Sequence, residues 1–322
     1  MAPKKRATGG PLEPAAVFVR IRPFASSGGH AEGGAPDAKV LAGWSERHVT
    51  LEQEYLFSTG QDRYDLPRRV LGPEAGQGEV FGAAAAGLAR AFASGEDSAF
   101  LLAYGQTGTG KTHTMFGTEA SLQSPEPHEG WGVLPRVCHA ALASGGRHLL
   151  LGSAVEFYLF TCADLLSGKA ACFVDDEGVP SGNRSVVLSS MQDFLHFVAE
   201  VRNHRTSRGT RMNEATSDHE GSSRSHCALM LTLLRLDGDQ LTRTHLTLVD
   251  LAGAERPSKT GEARVDMATA FQQAYRAAQR GDPIPTGAQC SCINTELFMM
   301  RHAVLARPRS STRRAPSTPS TR

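Results

Sequence analysis

The chain has 322 residues, of which 40% are apolar and 21% charged, and its formal net charge at pH 7 is +1. These proportions are typical of a globular protein with a sizeable core. A net charge so close to zero gives no overall field that would attract nucleic acid or an anionic membrane surface, so we expect neither partner. The sequence has no apolar run that could span a bilayer, and its first residues lack the apolar core of a signal peptide. Because its six cysteines are dispersed without the density of a disulfide scaffold, we expect a reducing, cytoplasmic compartment.

The two ends of the chain differ in composition from its middle. Residues 1–15 are rich in Pro, Gly and basic residues, and residues 306–322 are rich in Ser, Thr, Pro and Arg. Because neither segment has enough apolar residues to form a core, we expect both to be disordered. The arginines of the second segment favour at most a weak, salt-sensitive contact with an acidic surface. We expect one folded domain over residues 16–305.

The middle of the chain alternates between strand and helix patterns. VFVRIR (Val17–Arg22) is a strand candidate that Pro23 ends. Gly78–Ser94 has the Ala and Leu content of a helix, and the apolar run Ser98–Tyr104 is typical of a buried parallel strand. Three more strand candidates follow, HLLLGSAVEFYLF, CALMLTLLRL and HLTLVD, with a helix candidate among them, MQDFLHFVAEVRNH. Strands interleaved with helices predict a layered α/β domain.

The strand candidate that ends at Tyr104 leads into GQTGTGKT, which fits the pattern G-x-x-x-x-G-K-[ST]. Its glycines let backbone N–H groups face phosphates, Lys111 can reach the β and γ oxygens, and Thr112 offers a hydroxyl to Mg²⁺. A Gly-rich turn without a ligand is the alternative, but the flanking strand and helix are the context that a phosphate loop requires. We predict nucleotide binding by the whole loop: Gly105, Gln106, Thr107, Gly108, Thr109, Gly110, Lys111 and Thr112.

Two later segments could belong to the same site. His245–Asp250 is a strand candidate that ends in an acid, and an Asp placed so beside a phosphate loop commonly holds Mg²⁺. Gly253 follows closely, and its N–H could face a γ-phosphate. Ser222–His226 (SSRSH) offers hydroxyls to Mg²⁺ and to the γ-phosphate, although a Ser-rich segment alone is more often an ordinary loop. Each segment becomes informative through its combination with the phosphate loop.

In this order the segments resemble the kinesin motor domain family. VRIRP, with Arg20, Arg22 and Pro23, resembles the adenine side of that family's site, and AYGQTGTGKTHTM resembles its phosphate loop. MNE…SSRSH resembles switch I and DLAGAER resembles switch II, while GVLPR, EFYLFTCADLL and INTELFMMRHAV are weaker likenesses. The resemblance extends from Val17 to Val304. It implies an α/β fold of the P-loop NTPase type, with a central mixed sheet, mostly parallel at its core, between helices.

The resemblance also implies cofactors, a partner and residue roles. ATP and Mg²⁺ would be the cofactors, with His113 packed on the adenine, and microtubules would be the partner. Arg224 and Glu255 would form an ion pair between the switches, for which an exposed pair worth at most about 1 kcal/mol is the alternative. Glu255 would also help to accept the proton of the attacking water. The implied Mg²⁺ ligands are Thr112, Ser223 and Asp250. The residues implied in catalysis are Ser222, Gly253, Arg224 and Glu255.

The sequence departs from the family pattern at three places. Switch I reads N-x-x-S-S-R in the family, whereas Asn213 lies nine residues before Ser222 here and His219 takes the Asn register. An insertion follows DLAGAER and could extend the relay helix or form a mobile loop: AFQQAYRAAQRGDPIPTGAQCSC, residues 270–292. After Val304 nothing resembles the family's last strand and helices. We therefore expect a fragment, an incomplete gene product or a decayed motor.

Two functions remain open on this reading. One is a microtubule-associated motor ATPase that binds its track weakly, and the other is a catalytically weak or dead pseudo-motor that acts as a nucleotide- or microtubule-binding module. An unrelated P-loop kinase is a third class, against which DLAGAER and SSRSH argue. No heptad repeat supports a coiled coil, so the oligomeric state stays open. We expect the protein in the cytoplasm at the microtubule cytoskeleton, and the sequence does not tell whether a cilium is a further location. We interpret Cys290-x-Cys292 as free thiols rather than a zinc site.

Overall fold

The computed structural model describes residues 15–23, 41–52, 60–66, 68–168, 170–175, 180–212, 224–253 and 266–305. The strands are β1 (Val19–Arg20), β2 (Leu41–Trp44), β3 (His48–Leu51), β4 (Arg63–Asp65), β5 (Val70–Leu71), β6 (Ala99–Ala103), β7 (Arg147–Tyr158), β8 (Thr161–Asp164), β9 (Ala171–Val174), β10 (Pro180–Ser181), β11 (Val186–Val187), β12 (His226–Asp237) and β13 (Gln240–Asp250). The helices are α1 (Gln77–Ala84), α2 (Ala86–Ser94), α3 (Lys111–Phe116), α4 (Val133–Leu142), α5 (Met191–Met212), α6 (Met267–Arg280) and α7 (Thr286–Leu305). Apart from residue 15, the two predicted tails lie outside the described residues.

The largest sheet carries the strands that lead to the phosphate loop. Its strand order is β10-β9-β8-β7-β12-β13-β6, and β11 pairs separately with β7. β6 and β13 are parallel, with Ala103 opposite Asp250, whereas the other neighbours are antiparallel. Among the described strands, β6 forms one edge of this sheet. A mixed sheet flanked by helices confirms the predicted α/β class. The centre of the sheet is antiparallel, where a mostly parallel core was expected, because β12 turns directly back into β13 and pairs with β7 on its other side.

Alternate residues of the central strands enter two apolar cores. On β12, Cys227, Leu229 and Leu231 face the larger core, which contains residues of α2, α4 and α5. Ala228 belongs to the second core, where Ile293 and Leu297 of α7 also lie. Since successive side chains of a strand point to opposite faces, α2, α4 and α5 cover one face of the sheet and α7 covers the other.

Two small sheets lie near the start of the described chain. β1 and β5 are parallel, with Val19 opposite Val70 and Arg20 opposite Leu71, and β2, β3 and β4 form an antiparallel meander. The strand predicted over 17–22 is therefore shorter than expected, because its ladder with β5 is itself only two residues long. This ladder nevertheless fixes the backbone position from which the side chain of Arg20 extends.

The structure corrects one predicted helix. The single helix expected over 78–94 is two helices, α1 and α2, which meet at Ala85. Ala85 has φ −128° and ψ −20°, and its buried side chain packs in the larger core. Alanine content alone favours a continuous helix, so packing overrides local preference at this residue.

The inserted segment forms ordered helix in place of a mobile loop. Asp266 caps α6 by accepting a hydrogen bond from Thr269 N–H at 3.0 Å, and α7 begins soon after Pro283 and Pro285. Part of the insertion thus extends α7 toward the N-terminus, and the rest is a separate helix. Within the described ranges, no helix is long and apolar enough to cross a membrane.

Candidate functional site

The loop between β6 and α3 has the backbone of a phosphate loop. Gly108 (φ +77°) and Gly110 (φ +90°) lie in the left-handed region, which glycine adopts without a steric cost. A Cβ at Gly105 would lie 2.6 Å from the hydroxyl of Thr109, so this position is restricted by space. A Cβ at Gly110 would meet nothing within 4 Å. The loop is tightly folded on itself but open on the side where α3 starts.

Lys111 lies over this loop. Its ammonium nitrogen donates hydrogen bonds to the carbonyls of Gly105 and Gln106, both at 3.0 Å, while Thr109 Oγ1 donates to the same Gln106 carbonyl at 2.8 Å. A lysine ammonium is a compact charge with three donors on a flexible stem, so it can exchange carbonyl partners for phosphate oxygens. The predicted position of Lys111 at the phosphates is therefore compatible with its present contacts.

Thr112 and Asp250 meet beneath the loop. The parallel pairing of β6 with β13 brings the ends of both strands to the same edge, and Thr112 Oγ1 donates a hydrogen bond of 2.7 Å to Asp250 Oδ2. Asp250 is 1% exposed, and its Oδ1 accepts no hydrogen bond within the described part of the chain. A hydroxyl and a buried carboxylate oxygen with spare acceptor capacity are the hard ligands that Mg²⁺ prefers. The residues present therefore fit this cation.

The donor set also fits Mg²⁺ better than a softer metal. In the described ranges no three His, Cys, Asp or Glu residues cluster as a metal site would require, and all six cysteines are free. Mg²⁺ is usually bound through one or two protein carboxylates together with substrate phosphates. A single Asp beside a phosphate loop therefore suits it.

Arg205 of α5 completes the surroundings of Asp250, and the sequence analysis missed it. Arg205 Nη1 donates to Asp250 Oδ2 at 2.7 Å, and Nη2 donates to the Ser225 carbonyl at 3.2 Å. Burial by itself would lower the pKa of Arg205, but neighbouring Cys227, Asp250 and Glu156 more than offset this and raise it. The guanidinium therefore stays charged and balances the buried carboxylate. Several arginines lie near it in α5, and no local pattern distinguishes this one.

The segment before β12 is anchored by a second buried contact. Ser225 Oγ donates to Glu156 Oε1 of β7 at 2.7 Å, and both residues are almost fully buried. Because Ser225 also accepts from Arg205 through its carbonyl, the start of β12 is tied to both α5 and β7. Glu156 was not predicted either.

Arg20 connects β1 to the helix that follows the phosphate loop. Its Nη1 donates to Thr114 Oγ1 at 2.8 Å and to Gln77 Oε1 at 3.0 Å. Gln77, which is 7% exposed, donates in turn to the His113 carbonyl at 2.7 Å. This chain of hydrogen bonds fixes β1, α1 and α3 relative to one another. Gln77 and Thr114 had no role in the sequence analysis.

The other residues predicted on the adenine side lie close to the loop. Arg22 Nη1 donates to the carbonyl of Gly108, and Pro23 is exposed beside it. His113 is partly exposed, and the covering of the rest of its ring is the first cause that lowers its pKa, followed by the charges of Arg20 and Arg22. A neutral imidazole is thus favoured at His113, which suits a stacking contact with an uncharged base.

The predicted switch residues are only partly described. Arg224 Nη1 donates to Gln289 Oε1 of α7 at 3.2 Å, and Gly253 is buried just beyond the end of β13. Five residues of the hypothesis lie outside the described residues: Asn213, His219, Ser222, Ser223 and Glu255. Their predicted roles, including the ion pair with Arg224, stay predictions.

His226 links the end of β13 to α7, and it too was missed. Its Nδ1 accepts a hydrogen bond from Ala252 N–H at 3.0 Å, and its Nε2 lies 3.2 Å from Glu296 Oε2. Because Nδ1 accepts, the proton of a neutral ring sits on Nε2 and points to the carboxylate. The segment that follows Asp250 is thereby connected to the helix beneath it.

Comparison with known proteins agrees with this geometry. The family profile described as "Kinesin motor domain" matches residues 20–274. "Kinesin-like protein KIN-14O" of Oryza sativa subsp. japonica is 29% identical over 269 residues, which cover 78% of this chain and 41% of that protein. "Kinesin-like protein KIF11-B" of Xenopus laevis is 31% identical over 286 residues, or 81% of this chain and 25% of that protein. The chain therefore spans less than half the length of these curated relatives.

Solved structures show the same fold. One, titled "Structure of a fast kinesin: Implications for ATPase mechanism and interactions with microtubules", superposes with a TM-score of 0.62 at 22% identity, over 88% of this chain and 81% of that one. Another, titled "kinesin 6", gives a TM-score of 0.58 at 17% identity, over 90% of this chain and 91% of that one. At these identities the likeness is one of fold.

Proposed function

This chain belongs to the kinesin motor domain family, and we propose that it binds Mg·ATP and hydrolyses it as a microtubule-associated motor ATPase. The observation that carries the proposal is the meeting of Thr112 and Asp250 beneath the glycine loop, with the Lys111 ammonium on the same loop. We propose that the domain spans residues 16–305 and acts at the microtubule cytoskeleton, in the cytoplasm. The bounds rest on the composition of the two ends and on the sequence resemblance, and the location rests on the family.

We assign nucleotide binding to side chains that already hold one another in place. Lys111 and the loop N–H groups would bind the phosphates, and Thr112 and Asp250 would hold Mg²⁺, which when bound neutralises charge on the β and γ oxygens. Arg205 places a positive charge beside the Asp250 carboxylate and helps to hold it toward the loop, because its guanidinium contacts the same oxygen as Thr112. Arg20, Arg22, Pro23 and His113 would form the adenine side.

The roles in hydrolysis rest on the family resemblance. Ser222, Ser223 and Gly253 would meet the γ-phosphate, with Ser223 a further Mg²⁺ ligand. Arg224 and Glu255 would pair between the switches, with Glu255 accepting the proton of the attacking water. Positioning and charge neutralisation supply most of the rate in phosphoryl transfer. The site therefore needs these groups in place more than it needs a strong base.

One observation favours a second function. Asn213 lies nine residues before Ser222, and a loop lengthened in this way costs little entropy to close but need not bring both ends to the γ-phosphate. A chain with this loop could keep the nucleotide without turning it over. The second candidate is therefore a pseudo-motor that binds nucleotide or microtubules.

Nucleotide binding and microtubule-stimulated phosphate release by the purified chain test both functions. We expect wild type to bind Mg·ATP, and Lys111→Ala to lose about tenfold or more in affinity, since a charged hydrogen-bond donor contributes roughly 1.5–3 kcal/mol. Arg63→Ala is the matched control, because it removes an exposed positive charge on β4 whose ion pair is with Asp65 rather than with the loop. Equal affinities of wild type and Lys111→Ala would contradict the proposal. Binding without stimulated phosphate release would support the pseudo-motor.

A further inference from the structure

Two cysteines face each other across the β8–β9 hairpin. Cys162 and Cys172 are directly opposite in this antiparallel pair, and their sulfur atoms lie 2.9 Å apart. Directly opposed residues in antiparallel strands have Cα atoms about 4.5–5.5 Å apart, within the roughly 4.4–6.8 Å that a disulfide spans. The spacing of the two strands therefore lies within the range that a disulfide between these residues spans.

The other four cysteines differ from this pair in position and access. Cys162 and Cys172 are half-buried, while the remaining thiols are buried, on α4, β12 and α7: Cys138, Cys227, Cys290 and Cys292. Cys290 and Cys292 are close in sequence, but residues two apart on a helix do not face each other. The hairpin pair alone combines an opposed partner with partial access to solvent.

We propose that Cys162 and Cys172 are a reversible redox-modification site, which a low-molecular-weight disulfide such as oxidised glutathione converts to an intramolecular disulfide. In the first step one protein thiolate attacks a glutathione sulfur, the glutathione S–S bond breaks, and one glutathione leaves as thiol. In the second step the other protein thiol, deprotonated, attacks the protein sulfur of the mixed disulfide and releases the second glutathione. The two cysteines are oxidised, one glutathione disulfide is reduced, and both protons end on the glutathione thiols.

The same surroundings make the exchange slow. Burial, then the hydrogen bond and charge interaction with Cys172, and then Asp164 raise the pKa of Cys162 to about 12. The thiolate is the reacting form, so little of this thiol is reactive near neutral pH. We therefore expect the disulfide to form over hours. The pair would then respond to a sustained rise in the ratio of oxidised to reduced glutathione and not to a brief one.

A disulfide between Cys162 and Cys172 would change the packing at the edge of the second core. Both cysteines pack against the cluster that contains Leu251 beyond β13 and Ile293 and Leu297 of α7. A disulfide also removes entropy from the unfolded chain. We expect the oxidised protein to melt at a higher temperature than the reduced one, with β8, β9 and the neighbouring part of α7 protected from hydrogen exchange.

The test uses the intact chain equilibrated with glutathione buffers of increasing oxidised fraction. After free thiols are blocked by alkylation, non-reducing peptide mass spectrometry should find one intramolecular cross-link, between the peptides of Cys162 and Cys172, and a reductant should reverse it. Hydrogen exchange and thermal melting of the same samples report its effect on the fold. These readouts require no nucleotide or microtubules, so they are separate from the test of the proposed function.

Single variants provide the controls. Cys172→Ser and Cys162→Ser should lose the cross-link and retain glutathione on the remaining cysteine, whereas Cys138→Ser should oxidise as wild type does. Glutathione on both cysteines without a cross-link, or a cross-link to any other cysteine in the folded protein, would overturn the proposal. Resistance of both thiols under conditions that oxidise the urea-unfolded chain would overturn it as well.

Discussion

Replacing Arg205 with methionine removes the positive charge beside Asp250 and leaves a side chain of similar length. In the native protein Arg205 Nη1 lies 2.7 Å from Asp250 Oδ2, and the two side chains are 7% and 1% exposed, respectively. Loss of one partner from a buried ion pair costs roughly 3–5 kcal/mol, because the other charge stays buried. Since Thr112 still donates to Asp250, we expect a loss near 3 kcal/mol in the free energy of unfolding. The total free energy of unfolding of a native protein is only about 5–15 kcal/mol, so this loss would be a large fraction of it.

Arg202→Met is the matched control on the same helix. Arg202 pairs with Glu119, but these side chains are 40% and 67% exposed, and such pairs contribute at most about 1 kcal/mol. Urea unfolding followed by far-UV circular dichroism, without nucleotide and with a chelator present, gives both free energies. The Arg205 variant should lose at least about 2 kcal/mol more than the Arg202 variant.

A double variant tests the assigned cause. If the cost arises from an unbalanced buried carboxylate, adding Asp250→Asn to Arg205→Met should recover part of the lost stability, because the charge is removed. Equal stabilities of the Arg205→Met and Arg202→Met variants would refute the reasoning. So would an Asp250→Asn change that costs the same with and without Arg205.

Two further predictions concern Gln77 and the two histidines His113 and His245. Gln77→Ala should lower the free energy of unfolding by about 1–3 kcal/mol, because it removes two hydrogen bonds worth roughly 0.5–1.5 kcal/mol each, one from Arg20 and one to the His113 carbonyl, although both groups keep another partner. Urea unfolding checks this against exposed Gln123→Ala, and equal losses would contradict it. The pKa values of His113 and His245 are lowered in the fold, chiefly by burial, so the unfolded chain binds protons more readily and stability should decline as pH falls through about 6.5. Melting temperatures at several pH values should show a weaker decline for the double variant His113→Gln/His245→Gln, and an unchanged slope would count against this cause.

Local patterns predicted those parts of the site that lie in one short segment. The strand, loop and helix around Lys111 could be located because the motif specifies backbone conformation and chemistry together. Asp250 could be placed because strands of a parallel pair end at the same edge. The switch residues Ser222, Ser223 and Glu255 lie outside the described residues, and their roles stay predictions.

Tertiary packing determined what the patterns could not predict. Arg205 acts on Asp250 from a helix 45 positions earlier in the chain, and no spacing rule connects the two. Gln77 likewise acquires its role from the approach of β1 and α3. The apolar run around β6 predicted a buried strand, yet Phe100 is 59% exposed, because apolar content does not tell how many neighbours a strand has.

The five-residue ladder between β6 and β13 determines where Asp250 lies relative to the phosphate loop. It sets Ala99 against Leu246 at one end and Ala103 against Asp250 at the other. A slip by one residue would displace the carboxylate by about 3.3 Å and turn every side chain of one strand to the other face. Substitutions in β13 that shift this register, even at the end of the ladder opposite Asp250, can therefore change the distance between Thr112 and Asp250.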